Sequence, residues 1–109
     1  LTASGHPDDT ARVWDARTGV ELLTLEGHTG PVLAASFSAD GARIATAGWD
    51  GTARLWDAKT GKEVLTLKGH TVVYTASFST DGTRVVTAGL DGKTRVWDAK
   101  TGAEVLTLN

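Results

Sequence analysis

The sequence predicts an all-β chain built from small four-stranded antiparallel sheets stacked face to face, and three observations predict it. The stretches "WDARTGVELLTLEGH", "WDAKTGKEVLTLKGH" and "WDAKTGAEVLTLN" repeat, with Trp14-Asp15, Trp56-Asp57 and Trp97-Asp98 spaced 42 and 41 residues apart. A period of about 40–45 residues marks units that cannot bury their apolar faces alone and so stack on their neighbours. Within one period, turn residues cut the text into four apolar runs of strand length, far short of a helix. Both faces of those runs carry apolar side chains, so each sheet needs a cover on either side.

Taken in order from His28, the first run is "VLAASFS" (32–38), strand a, which stops at Ala39-Asp40-Gly41. Asp and Gly tolerate the left-handed conformations that tight hairpins require. Strand b is "ARIATAG" (42–48), strand c is "TARLW" (52–56) after Asp50-Gly51, and strand d is "EVLTL" (63–67) after Asp57-Ala58-Lys59-Thr60-Gly61. In strand c, Ala53 and Leu55 point to one side and Trp56 to the other. Four-stranded sheets arranged around an axis, the β-propeller architecture, give every sheet a neighbour on both faces.

These residues carry a family resemblance. Gly27-His28, Phe37-Ser38, Asp40-Gly41, Asp50-Gly51 and Trp56-Asp57, with their matches in the next unit, resemble the WD-repeat β-propeller family over essentially the whole chain. Near identity of the tandem units, with high Ala and Gly content, points to its bacterial tandem-repeat type. By that resemblance a sequence unit straddles two blades. Residues 1–26 then supply strands b, c and d of a first blade, 27–68 a second blade and 69–109 a third, all parts of one propeller. About two and three-quarter blades make an incomplete ring, so a longer parent propeller or a homo-oligomer is expected. The chain opens on Leu1 in mid-pattern and stops at Asn109, where the other units place Gly-His, and its ends read as cut from something longer.

Two departures from the repeat stand out. "GHPDDTARVW" replaces "GWDGTARLW" with one more residue after the glycine and with Asp9 where Gly51 stands, so the first b to c turn is not expected to be tight. "HTVVYTASF" is one residue shorter than "HTGPVLAASF", which is expected to reshape the d to a loop entering the third blade.

His28, Thr46, Asp50 and Trp56, and their copy His70, Thr87, Asp91 and Trp97, bring together a histidine, an acid and a hydroxyl. The resemblance implies a structural tetrad: the aspartate accepts from the histidine, the threonine hydroxyl relays the bond, and the indole N–H completes it. The spacing supports fastening over chemistry, because Asp8, Asp50 and Asp91 each precede their tryptophan by six residues, whereas a nucleophile is activated at one site. No catalytic residue is assigned, and the chain is expected not to be an enzyme. Asp57 and Asp98 are expected to cap the following Lys-Thr-Gly turns through an Asx-type contact. Arg12, Arg54 and Arg95 read as solvated rim residues whose stems cover apolar surface.

Composition narrows the partners. The net charge is −2, and the 11 lysines and arginines are scattered instead of clustered, so no nucleic-acid footprint appears. No apolar run approaches a membrane span. The absence of cysteine removes disulfides and thiolate metal sites and fits a reducing, cytoplasmic setting. His6-Pro7-Asp8-Asp9 holds metal-type donors but no second ligand-rich segment completes a site. The glycines sit singly at hairpin turns, so neither a phosphate loop nor any other cofactor site is read.

Recognition then falls to positions that vary between units, on the face carrying the d to a and b to c loops. Trp49 leads, standing where the other units have Pro7 and Leu90, and Thr29, Gly30, Pro31, Val72, Val73, Tyr74 and Leu90 complete a mildly apolar patch. The expected function is a noncatalytic scaffold that binds a protein or peptide there. Two alternatives are an excised or engineered repeat segment that assembles into a ring with no ligand of its own, and part of a propeller enzyme whose site lies outside this fragment.

Overall fold

The computed structural model describes residues 9–15, 17–69 and 71–108 in full and residues 2–5 as backbone. Eleven strands and no helix occur among the described residues. They are β1 (Thr2–Gly5), β2 (Thr10–Trp14), β3 (Glu21–Glu26), β4 (Val32–Phe37), β5 (Arg43–Gly48), β6 (Thr52–Asp57), β7 (Glu63–Lys68), β8 (Val73–Phe78), β9 (Arg84–Gly89), β10 (Thr94–Asp98) and β11 (Glu104–Leu108). Three antiparallel sheets result, each a plain meander: β1-β2-β3, β4-β5-β6-β7 and β8-β9-β10-β11. They are successive blades of a propeller whose ring is not closed.

The hairpins stop where side chains satisfy the turn backbone. Ser38 N–H donates to the Arg43 carbonyl (2.8 Å) and Gly41 N–H to the Ser38 carbonyl (2.9 Å). Asp40 Oδ1 accepts from the Ser38 hydroxyl and the Ala42 N–H, and Ser79 and Asp81 repeat the arrangement one blade later. Between the third and fourth strands of a blade, Asp57 Oδ1 accepts from the N–H groups of Lys59 (2.8 Å) and Thr60 (3.3 Å), and Asp98 from those of Lys100 and Thr101. The aspartate after each tryptophan therefore anchors a turn, giving the backbone donors a partner that does not depend on solvent.

Register corrects the reading of the first b to c turn. Ala3 pairs with Val13, Ser4 with Arg12 and Gly5 with Ala11, as Ala45 pairs with Leu55, Thr46 with Arg54 and Ala47 with Ala53. Five residues separate Gly5 from Ala11 and five separate Ala47 from Ala53, so the turn has the same length in both blades. Aligning Gly5 with Gly48 creates the apparent insertion; in register Gly5 stands at Ala47. Asp9 takes a φ of 71° where Gly51 has 83°, and aspartate is one of the few L-residues that enters the left-handed region readily. The shortened d to a loop is also absorbed locally. Pro31 accepts from Trp49 N–H and Val72 from Leu90 N–H, both at 2.9 Å, so Val72 takes the place of Pro31 and the missing residue lies upstream of it.

Bulges recur in every blade. Val32 pairs with Gly48 and Ala34 with Ala47, leaving Leu33 as the extra residue, and Tyr74 is extra in the same way in β8. Leu22, Val64 and Val105 are the extra residues opposite the step before each tryptophan. All five are exposed, because a bulged residue has no place in the pleat and its side chain is thrown outward.

The core lies between sheets. Ala11, Val13 and Leu25 of the first sheet meet Val32, Ile44 and Trp56 of the second. Ala47, Leu55 and Leu67 on the other face of the second sheet meet Val73, Val85 and Trp97 of the third. The blades are joined further by Ser36 Oγ donating to the Ala76 carbonyl (3.0 Å) and by Arg43 Nη1 to the Ala99 carbonyl (3.3 Å). Each sheet thus presents its tryptophan face backward and an alanine-leucine face forward, and burial on both sides is what the doubly apolar strands require.

Candidate functional site: the loop face and its buried polar chain

At one end of the second blade, the turn between β5 and β6 and the loop between β3 and β4 meet over a buried polar chain. The His28 and Asp50 side chains are 0% and 6% exposed. His28 Nδ1 lies 3.1 and 3.2 Å from the two Asp50 oxygens. His28 Nε2 lies 2.6 Å from Thr46 Oγ1, which lies 2.9 Å from Trp56 Nε1.

The chemistry fixes the direction of every bond. An ionised carboxylate only accepts, so His28 Nδ1 carries its proton and donates to Asp50. Nε2 of the neutral ring then accepts from the Thr46 hydroxyl, and the Thr46 oxygen accepts from the indole N–H. Burial pulls the His28 pKa below its ordinary value, outweighing the hydrogen bond and the charge of Asp50, which act the other way. A doubly protonated ring would point an N–H at Thr46 and force that hydroxyl to find another acceptor. Burial pushes the Asp50 carboxyl up, but the Thr29 N–H, the Thr52 hydroxyl, His28 and the Thr52 N–H together bring it down to about 2.

Gly48 is dictated by this packing. A Cβ there would fall 2.4 Å from His28 Nδ1 and 2.6 Å from Asp50 Oδ1, so any larger residue displaces the ring from its acceptor.

Two residues that the sequence reading did not place in the cluster belong to it. Thr52 Oγ1 donates to Asp50 Oδ1 (2.8 Å) and accepts from Arg54 Nε (3.2 Å). Arg54 also reaches Asp50 Oδ2 (3.5 Å) and Glu63 Oε1 (2.8 Å), and Glu63 accepts in turn from the Thr66 hydroxyl. The expectation of solvated rim arginines is corrected: the Arg54 and Arg95 side chains are 14% and 16% exposed. Their guanidinium groups bridge the turn aspartate to the glutamate of the outermost strand, and Arg12 lies 3.6 Å from Glu21. Recurrence of Arg two positions before Trp, and of Glu seven after it, was the signal available.

In the third blade Trp97 Nε1 donates to Thr87 Oγ1 (2.9 Å), Arg95 lies 3.7 Å from Asp91 and 2.7 Å from Glu104, and His70 lies outside the described residues. Lys93 stands where Thr52 stands, so the hydroxyl is missing and Arg95 Nε has no hydrogen-bond partner among the described residues. Asp8, His6 and Pro7 also lie outside the described residues. Among the described residues no group of three or more His, Cys, Asp or Glu is placed to hold a metal ion, and no helix is long and apolar enough to cross a membrane.

The candidate recognition residues divide. Trp49 and Leu90 occupy equivalent turn positions and are 55% and 56% exposed, Tyr74 is exposed, Thr29 is exposed and Pro31 is half-buried. Gly30, Val72 and Val73 are a correction, because Gly30 is buried and Val72 and Val73 are 6% and 0% exposed. Val73 packs in the core between the second and third blades, so its apolar character serves blade stacking.

The family model described as WD domain, G-beta repeat matches residues 19–57 and 61–98. The chain belongs to this family. Ribosome assembly protein 4 of Chaetomium thermophilum is 54% identical over 39 residues, 36% of this chain and 8% of that protein. Autophagy-related protein 16 of Arabidopsis thaliana is 45% identical over 47 residues, 43% of this chain and 9% of that protein. Pre-mRNA-processing factor 19 of Oryza sativa subsp. japonica is 38% identical over 50 residues, 46% of this chain and 10% of that protein. The alignments to these relatives thus cover about a tenth or less of the relatives' own length, and the match is to the WD repeat they share.

Lys93→Thr supplies the missing hydroxyl between Asp91 and Arg95 and should raise the urea midpoint, by about 0.5–1.5 kcal/mol of stability; an unchanged or lower midpoint counts against the assignment. Because the folded pKa of His28 is depressed, the unfolded chain binds a proton near pH 6.5 that the folded chain refuses. Stability from this group is complete above that pH and declines as pH falls below it. Urea midpoints measured from neutral pH downward should fall more steeply for the wild type than for His28→Gln, and parallel curves would refute the neutral buried ring.

Proposed function

We propose that the chain is a noncatalytic interaction scaffold that binds a protein or peptide on the face carrying the β3–β4, β5–β6, β7–β8 and β9–β10 connections. The carrying observation is Trp49, a large aromatic held in the open by a backbone that is fixed on both sides. Its N–H bonds to Pro31, and the next residue, Asp50, is tied to His28, Thr29 and Thr52. A side chain displayed on a pre-ordered turn loses little freedom on binding, which is the property of an aromatic hot spot. Leu90 repeats the display one blade further.

In this reading His28, Thr46, Asp50 and Trp56 fasten the loops to the blade, as do Thr87, Asp91 and Trp97. Both ring nitrogens of His28 are engaged internally and the Asp50 carboxylate has several donors, which supports fastening over catalysis. The relatives are named for ribosome assembly, autophagy and pre-mRNA processing. Sharing one repeat across such different processes favours a general docking surface, with the identity of the partner set by the residues that vary between units.

Peptides selected from a displayed library against the chain should bind Trp49→Ala about tenfold or more weakly. Lys59→Ala, on the opposite end of the blade, should leave their affinity unchanged. Selected peptides that bind both variants like the wild type would reject the proposed face.

A further inference from the structure

The second and third blades part at the end opposite Trp49. They converge at their first strands, where Ser36 of β4 donates to the Ala76 carbonyl of β8. Along β5, Arg43, Ala45 and Ala47 alternate onto the face toward the third blade. Ala45 and Ala47 are buried in one cluster with Val73, Val85 and Trp97. One step further along, the same face carries Arg43, whose Nη1 donates to the Ala99 carbonyl (3.3 Å). A long cation takes the place of an apolar contact there, and the blades do not close on each other. The cleft that remains has a volume of about 320 Å³ and is lined by Ser38, Asp40, Arg43, Phe78, Asp81 and Lys100 among others. Both walls belong to complete four-stranded sheets.

Charge is sorted by sign within this cleft. Asp40 and Asp81 lie on the neighbouring turns after β4 and after β8, and flank a smaller hollow of about 100 Å³ that neither Arg43 nor Lys100 lines. The Ser38 hydroxyl and Ala42 N–H donate to Asp40 Oδ1, and the Ser79 hydroxyl, Thr83 N–H and Thr83 hydroxyl to Asp81 Oδ1. These bonds hold both carboxyls below the usual range, that of Asp81 at about 2, so both are ionised at neutral pH and each keeps a second oxygen. Arg43, at the start of β5, and Lys100, on the turn after β10, supply the opposite sign. Neither is in an ion pair with another described residue. Phe78 packs against the interblade cluster and gives the cleft an aromatic wall.

We infer that this cleft is a docking site for an extended peptide segment of a protein partner that carries a basic and an acidic side chain two positions apart. Asp40 and Asp81 accept from the basic group, while Arg43 and Lys100 hold the carboxylate, a pairing in which complementary charge sets register and specificity. Side chains two apart in an extended segment project to the same side, roughly 7 Å from each other. The volume stands near the low end of ligand pockets, roughly 300–1,000 Å³, which suits a short segment and an apolar side chain against Phe78. The cleft lies at the other end of the blades from Trp49, so this docking does not depend on binding there.

NMR of the labelled 109-residue chain tests it through the amide shifts of residues 39–42, 80–83 and 99–101, titrated with end-capped tripeptides. Lys-Leu-Glu should move these amides to saturation. Gln-Leu-Glu and Lys-Leu-Gln should each bind about twofold to fivefold more weakly, the loss expected for one partly exposed ion pair. Lys100→Glu should weaken Lys-Leu-Glu and strengthen Lys-Leu-Lys, whereas Trp49→Ala should change neither. Lys100 is exposed, and the amide spectrum of the variant confirms that the fold is kept. Equal shifts from every peptide, neutral Gln-Leu-Gln included, would mean that charge is not read and overturn the proposal. Binding of Lys-Leu-Glu to Lys100→Glu as tight as to the wild type would overturn it too. So would shifts confined to the Trp49 end, or none at any soluble peptide concentration.

Discussion

A buried donor must find an acceptor, and in the second blade that requirement runs in a single line from the Trp56 indole through Thr46 and His28 to Asp50. Each bond contributes about 0.5–1.5 kcal/mol net, but an orphaned buried partner costs about 1–3 kcal/mol. Such a line is therefore held by the penalty for breaking it more than by the gain from making it. It crosses four pieces of chain: strands β5 and β6, the turn between them, and the loop that arrives from the previous blade. Arg54 extends it to Glu63 on the outermost strand. A loop that would otherwise lie on the surface without partners acquires a fixed position relative to the sheet.

That constraint separates two kinds of surface. The loop face is ordered by polar bonds and so can leave Trp49 and Leu90 exposed without losing its shape. The sheet faces are ordered by apolar contact and need a cover. Of the ten large exposed apolar residues among those described, Leu22, Leu33, Val64, Tyr74 and Val105 are bulge residues, Val20, Trp49 and Leu90 lie on turns, and Leu106 and Leu108 lie on the forward face of the third sheet. The first group follows from strand geometry alone.

Much of this was legible in the sequence because the fold is written in short-range signals repeated in register. The runs 32–38, 42–48, 52–56 and 63–67 correspond to strands 32–37, 43–48, 52–57 and 63–68, each end set by a nearby Asp or Gly. What was not legible depends on contacts across the sheet. Gly5 looked like the partner of Gly48, and only the pairing of Ser4 with Arg12 shows that no residue is inserted. Val72 and Val73 looked like surface because the loop entering the third blade is shortened, but in register Val72 stands at Pro31 and Val73 at Val32, and Val73 lies in the core. The arginines looked like rim because their type is mostly exposed; their burial follows from two acceptors, Asp50 and Glu63, that adjoin only after β6 pairs with β7. Thr52 has a counterpart in Thr10 of the first blade, but lysine at position 93 breaks the pattern in the third.

The buried chain has one direction: His28 is neutral with its proton on Nδ1, donating to Asp50 and accepting from Thr46. Nitrogen-15 NMR of the histidine side chain at neutral pH reads this directly. The account predicts a protonated Nδ1 and an unprotonated, hydrogen-bonded Nε2 for His28 at neutral pH, with a titration midpoint below 6.5 on acidification. A proton on Nε2, or a ring that exchanges freely with water and titrates at its ordinary value, would contradict it.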